Sequence, residues 1–202
     1  MSPFKKLFGL GLTLMLDTGS GILVAHLLWW ALGLDIQWYH YLLGIVFAKL
    51  PDVDEVIPFA IELLGGPEND SSHKSLPTHY PLLVIPIVAV AVLLAAPSQY
   101  ALLAATCLLV HFFHDSWQSQ EDGPGVRWLA PFGKRYYQVL SMNAKGEPIR
   151  LLLVVSPEHL EHAFGITAEY WLNTTFFRFS WENAIGISLF LAGFGVLIAH
   201  FL

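Results

Sequence analysis

Charge is what this chain has least of. Only 13% of its 202 residues are Asp, Glu, Lys or Arg, while 55% are hydrophobic and the mean hydropathy is +0.56. A soluble domain usually carries about 25% charged residues, so a shortage on this scale points to a membrane. Basic residues are scarcer still: ten Lys and Arg against sixteen Asp and Glu leave a net charge of -6 and a pI near 5.8. Nothing here supplies the basic face that nucleic acid requires, and no nucleic-acid partner is expected. The single cysteine, Cys107, lies in an apolar run and excludes an internal disulfide framework. Internal repeats and low-complexity linkers are also missing. Residues 1–202 therefore read as one membrane-integral domain, without the repeat symmetry usual in transporters.

Long apolar runs are abundant instead. The N-terminus, MSPFKKLFGLGLTLML, starts like a signal peptide, but Asp17 interrupts it and no small-x-small cleavage site follows, so it reads as a retained helix. A spanning helix needs roughly 20 mostly apolar residues to cross a hydrocarbon core about 30 Å thick. Residues 8–33, 81–97, 99–116 and 183–202 satisfy this, and 36–50 is a shorter fifth flanked by Trp38, Tyr39 and Tyr41. The expected fold is all-α, with about five transmembrane helices. If Lys5 and Lys6 are inside, alternation of the spans puts all ten Lys and Arg on that side, whereas the LDIQ and APSQ turns carry none. By the positive-inside rule that side is the cytoplasm, and the protein is a multi-pass inner-membrane protein with its N-terminus inside.

A polar insert, residues 117–182, separates the fourth and fifth spans and is expected to be cytoplasmic. RYYQVLSM and IRLLLVV flank the NAKGEP turn and suggest a β-hairpin. SPEHLEHAF, with Ser156 before Pro157, suggests a short helix. WLNTTFFRFSW is rich in aromatics and suits the interface.

The hydropathy pattern gathers three polar motifs at the cytoplasmic level. KLPDVDEV places Asp52 and Asp54 after the second span, and SHKSLPTHYP places His73 and His79 before the third. HFFHD ends the fourth with His111, His114 and Asp115, at i, i+3 and i+4 on one helix face. Imidazole nitrogens and carboxylate oxygens suit a divalent metal, zinc first, with manganese or iron as alternatives. These candidates outnumber the ligands of one tetrahedral ion, so either two ions bind or some residues orient the others. Asp17, inside the first span, is a further candidate because an intramembrane carboxylate is costly without a role. Simpler readings stand beside these: Asp52 with Glu55 fits a capping box, Thr78 could cap the third span, and histidines at a span's end could be an interfacial fringe. His159 and His162 suit a solvated helix, His40 and His200 the opposite interface, and His26 helix packing.

Taken together, PDVD, HKSLPTH, HFFHD and the later Gly125, Val126, Trp128, Pro131 and Phe132 resemble a family of small inner-membrane metal-dependent hydrolases, one of which is regulated by the LexA repressor. The resemblance runs over about residues 17 to 137. Leu50 to Asp54 match the family's L-P-D-x-D motif, and His111 with Asp115 match its H-x-x-x-D. The second motif departs from the family: Lys74 stands for arginine, Tyr80 for serine, and one extra residue separates His73 from His79. The family's early first-span histidine is absent, with Gly21 near its place and Asp17 as the nearby substitute. The resemblance implies hydrolysis and names no substrate.

The expected activity is thus metal-dependent hydrolysis at the inner-leaflet surface, with Asp54 or Asp115 as proton acceptor. Lys74, Lys134 and Arg135 could hold an anionic group, which favours a lipid or isoprenoid phosphoester as substrate. The rival expectation is a non-catalytic scaffold or subunit of a larger membrane complex, in which a metal or polar network only fixes the helices.

Overall fold

A computed structural model of the chain describes residues 3–54, 76–117, 125–142, 148–159 and 181–202. Within them lie five helices: α1 (Pro3–Ala31), α2 (Trp38–Lys49), α3 (Pro81–Ala95), α4 (Ser98–Ser116) and α5 (Trp181–Phe201). They coincide with the five apolar segments of the sequence. Two of them, through Leu14–Ala31 and Ala184–Phe201, are long and apolar enough to cross a membrane. The other three fall short for different reasons. α2 has 12 residues and α3 has 15, or about 18 and 22 Å at 1.5 Å per residue. α4 has 19, but its last turns carry His111, His114 and Asp115.

Local chemistry sets the boundaries. Gly33 takes a positive φ of 64° after α1, and the Leu34 amide donates to the Trp29 carbonyl, closing the helix as a Schellman motif. At the far end of α2, Pro51 lacks an N–H and cannot continue an α-helix, so the chain tightens into a 3-10 turn, Leu50–Asp52. A second 3-10 turn, Pro77–His79, leads into α3, whose first residue is Pro81. α3 and α4 are joined only through Ala96 and Pro97.

Side-chain pairings give the helix directions. Along α1, Asp17 meets Lys49, Gly21 meets Gly44 and His26 meets Tyr41, so α2 runs antiparallel to it. α4 is antiparallel too, with Tyr100 near Trp29 and His111 near Asp17. α5 runs parallel to α1, since Leu16 meets Gly186 and Gly19 meets Gly193. Glycine makes these approaches close: a Cβ on Gly21 would run into the Gly44 backbone, and one on Gly19 into the α5 backbone at Leu189 and Phe190. Small residues at helix crossings are how apolar helices associate where lipid competes for apolar contact.

Ile22, Ala25, Trp29, Tyr41, Ala48, Leu103 and Cys107 form the core between α1, α2 and α4, and a smaller cluster of Leu108, Phe112 and Val126 lies beyond it. The outer faces stay apolar, with Leu42, Ile87, Leu94, Leu109, Leu191 and Ile198 all exposed. Such a surface marks contact with lipid or protein. The hairpin is present: β1 (Tyr136–Met142) pairs antiparallel with β2 (Pro148–Val155). After it, Pro157–His159 form a 3-10 turn rather than the start of a described α-helix. His162 and WLNTTFFRFSW, apart from its final Trp181, lie outside the described residues, as do Glu55 and the segment it was expected to cap.

Replacing Gly44 with Val should test the crossing. A side chain there meets the Gly21 carbonyl and the Ala25 methyl, and overpacking of this kind typically costs about 1–3 kcal/mol. The thermal midpoint of the detergent-solubilised variant should fall clearly below wild type. An unchanged midpoint would mean that α1 and α2 do not approach this closely.

Candidate metal centre

Four elements deliver the polar side chains to one end of the bundle. The Pro51 turn carries Asp52, the Pro77 turn carries His79, and the last two turns of α4 carry His111 and Asp115 at i, i+4. α1 brings Asp17 alongside. His79, His111, Asp115 and Asp17 are buried, and Asp52 keeps 23% of its side chain exposed.

Asp52, His79, His111 and Asp115 form a group whose ligand atoms all lie within 4.8 Å of one another. His111 Nε2 is 3.4 Å from Asp52 Oδ1 and 3.3 Å from Asp115 Oδ2, while His79 Nε2 is 3.6 Å from each of the same two oxygens. A direct N–H···O bond prefers about 2.9–3.0 Å. Ligands of one tetrahedral ion, with bonds of about 2.0–2.2 Å, stand about 3.3–3.6 Å apart. Buried His111 Nε2 makes no hydrogen bond among the described residues. Two imidazoles and two carboxylates at this spacing fit a divalent cation.

Both histidines are backed on their other nitrogen. His111 Nδ1 faces Asp17 Oδ1 at 3.3 Å. His79 Nδ1 lies 3.2 Å from Thr78 Oγ1 and 3.8 Å from Asp54 Oδ2, and the Thr78 hydroxyl donates to that same Asp54 oxygen. A carboxylate behind a ligating imidazole fixes its tautomer and raises its basicity. Lys49 closes the outer ring by donating to Asp17 Oδ2 at 2.6 Å and to Asp52 Oδ2 at 3.0 Å. Burial works against the Asp52 charge, but the neighbouring His111 and His79 rings and the Lys49 ammonium outweigh it. Its carboxyl therefore titrates well below the usual carboxylate range and stays anionic, as a ligand must.

The structure sorts the sequence candidates. Asp52, His79, His111 and Asp115 come together. Asp17 and Asp54 stand behind the two histidines. His114 is partly exposed, with Nδ1 3.9 Å from Asp17 Oδ1. Lys134 and Arg135 are exposed, and no described contact joins them to the cluster. His73 and Lys74 lie outside the described residues. Thr78 does not cap α3, where Tyr80 precedes Pro81; its hydroxyl is spent on Asp54. His26 packs as expected, its Nδ1 2.9 Å from the Tyr41 hydroxyl. His40, at the opposite end, lies buried between Trp29, Tyr39 and Tyr100. The sequence reading overlooked Lys49, whose signal was its place three residues before Asp52, on the helix facing Asp17.

A mainly helical protein with a buried histidine–aspartate cluster at one end of its helices is the class these features define. The chain belongs to the YdjM inner membrane protein family, whose model matches residues 15–201, the inner-membrane family that its motifs resemble. No curated protein and no solved structure matches it.

Removing His111 and Asp115 together as alanines should abolish divalent-metal retention while the protein still inserts, measured by elemental analysis after purification. Undiminished metal would place the site elsewhere. Asp17→Asn keeps the shape behind His111 but removes the charge, and should weaken metal affinity about 10–100-fold. Wild-type affinity in that variant would show that Asp17 does not orient the imidazole.

Proposed function

We propose that this protein is a metal-dependent hydrolase of the inner membrane, acting at the inner-leaflet surface on a lipid or isoprenoid phosphoester. The observation that carries the reading is the set of 3.3–3.6 Å separations among Asp52, His79, His111 and Asp115, together with the partial exposure of Asp52. Those four residues would hold the ion, with zinc the best match to two nitrogens and two oxygens. When bound, a divalent ion supplies Lewis acidity and a lowered pKa for water.

The chain's own residues have separate tasks. Asp115 faces both imidazoles and is committed to the cluster. Asp54 stands outside it, and its Oδ1 is buried without a hydrogen bond among the described residues while Oδ2 is held by Thr78. Asp54 is therefore the preferred proton acceptor, positioned by the threonine. Just before the hairpin, Leu129 and Phe132 are exposed, as are Lys134 and Arg135. Apolar and cationic side chains in company suit a headgroup surface, where the cations would meet phosphate.

In this reading all five helices cross the membrane, the shorter ones at its locally polar end, and the N-terminus is cytoplasmic. The alternating directions of α1, α2 and α4 support that arrangement. A cysteine at position 145 should resist an impermeant thiol reagent in intact cells and react after lysis, with Cys107 silent because it is buried in α4. Labelling from outside would reverse the orientation.

Asp54→Asn tests the chemistry. Assayed at saturating metal, it should lose turnover about 10²–10⁴-fold, the usual worth of a general base, across a panel of phospholipid and isoprenyl phosphoesters. A wild-type protein that holds metal yet turns over nothing in that panel would favour the non-catalytic scaffold.

A further inference from the structure

Lys49 occupies an unusual place for a structural cation. Its ammonium lies 2.6 Å from Asp17 Oδ2 and 3.0 Å from Asp52 Oδ2, and the other oxygen of each carboxylate faces His111, at 3.3 Å from Nδ1 and 3.4 Å from Nε2. His114 Nδ1 approaches the same Asp17 from outside, at 3.9 Å. A bridging carboxylate, a second carboxylate and a nearby imidazole are what a second divalent ion would need. In two-metal sites the ions sit about 3.5–4 Å apart and share such a bridge. Here the positive charge in that volume belongs to the chain.

We infer that the Lys49 ammonium stands in for a second metal ion and holds this centre to one. The inference rests on the metal reading above and settles the number of ions that reading leaves open. Charge balance points the same way. Asp17, Asp52 and Asp115 bring three negative charges and Lys49 one positive, which leaves the charge of a single divalent ion to be matched. A second ion beside Lys49 would put an excess of positive charge where burial makes it expensive. The count covers the carboxylates that Lys49 or the ion would touch; Asp54 is outside it, its described partners being His79 Nδ1 and the Thr78 hydroxyl. Lys49 is thus a positioning residue: it turns Asp52 so that Oδ1 faces the imidazoles, and it occupies the ground that a bridged pair would use.

Equilibrium dialysis of the full-length protein in detergent against Mn²⁺ tests this, with bound ions counted by elemental analysis and examined by electron paramagnetic resonance. Wild type should bind one equivalent and give the spectrum of an isolated ion. Lys49→Ala should bind a second equivalent and show a spin-coupled pair. Adding Asp17→Asn to that variant should return it to one. Two equivalents or a coupled spectrum in wild type would overturn the inference even if the variant cannot be purified, as would a folded Lys49→Ala that stays at one equivalent. Absence of any bound Mn²⁺ in wild type is a different result, since it would remove the metal reading itself.

Discussion

Burying charge is the constraint on which the rest of this molecule depends. Asp17, His79, His111 and Asp115 sit within an assembly of apolar helices, where an isolated carboxylate costs several kcal/mol. The fold answers with mutual proximity: each carboxylate faces an imidazole or an ammonium, and His79 and His111 each face three acids. The geometry is still poor as a set of hydrogen bonds, because the contacts at the centre are 3.3–3.6 Å rather than about 2.9 Å. A shared cation would resolve both difficulties together, supplying positive charge and accepting the lone pairs at the separation they already have.

That requirement explains features of the fold remote from chemistry. α1 must come close enough to α2 and α4 for Asp17 to reach Lys49 and His111, and the Gly21–Gly44 crossing allows it. Pro51 ends α2 and Pro77 opens the 3-10 turn before α3, and it is in these two turns that Asp52 and His79 reach toward α4. At the opposite end the same helices meet through aromatic and histidine packing. There Trp29, His40 and Tyr100 pack at tilted and edge-on angles, the Gln37 backbone N–H donates to His40 Nδ1, and Nε2 lies 3.1 Å from the Tyr100 hydroxyl. Those histidines already have partners of their own, which separates them physically from the cluster.

The five helices were legible because apolar run length is a coarse, additive property that survives without tertiary information. The hairpin was legible from RYYQVLSM and IRLLLVV flanking the NAKGEP turn. The convergence of PDVD, LPTH and HFFHD was legible from the hydropathy pattern, since the expected alternation of spans puts all three at one level. What topology does not encode is depth and azimuth. Nothing in the string distinguishes Asp52 from Asp54, two residues apart, yet a 3-10 turn sends one into the cluster and the other behind His79. Lys49 was counted as an orientation signal, and its approach to Asp17 depends on a helix crossing set by glycines 23 positions apart in sequence. Thr78 looked like a cap because its tertiary partner, Asp54, comes from another segment.

The central claim is that two imidazole nitrogens and two carboxylate oxygens share one divalent ion. X-ray absorption spectroscopy of the zinc-loaded protein addresses it most directly. The account predicts a shell of nitrogen and oxygen near 2.0–2.2 Å, with the outer-ring scattering of two imidazoles and no metal neighbour. A protein that takes up no zinc, or a shell showing a different number of imidazoles or a second metal close by, would contradict it.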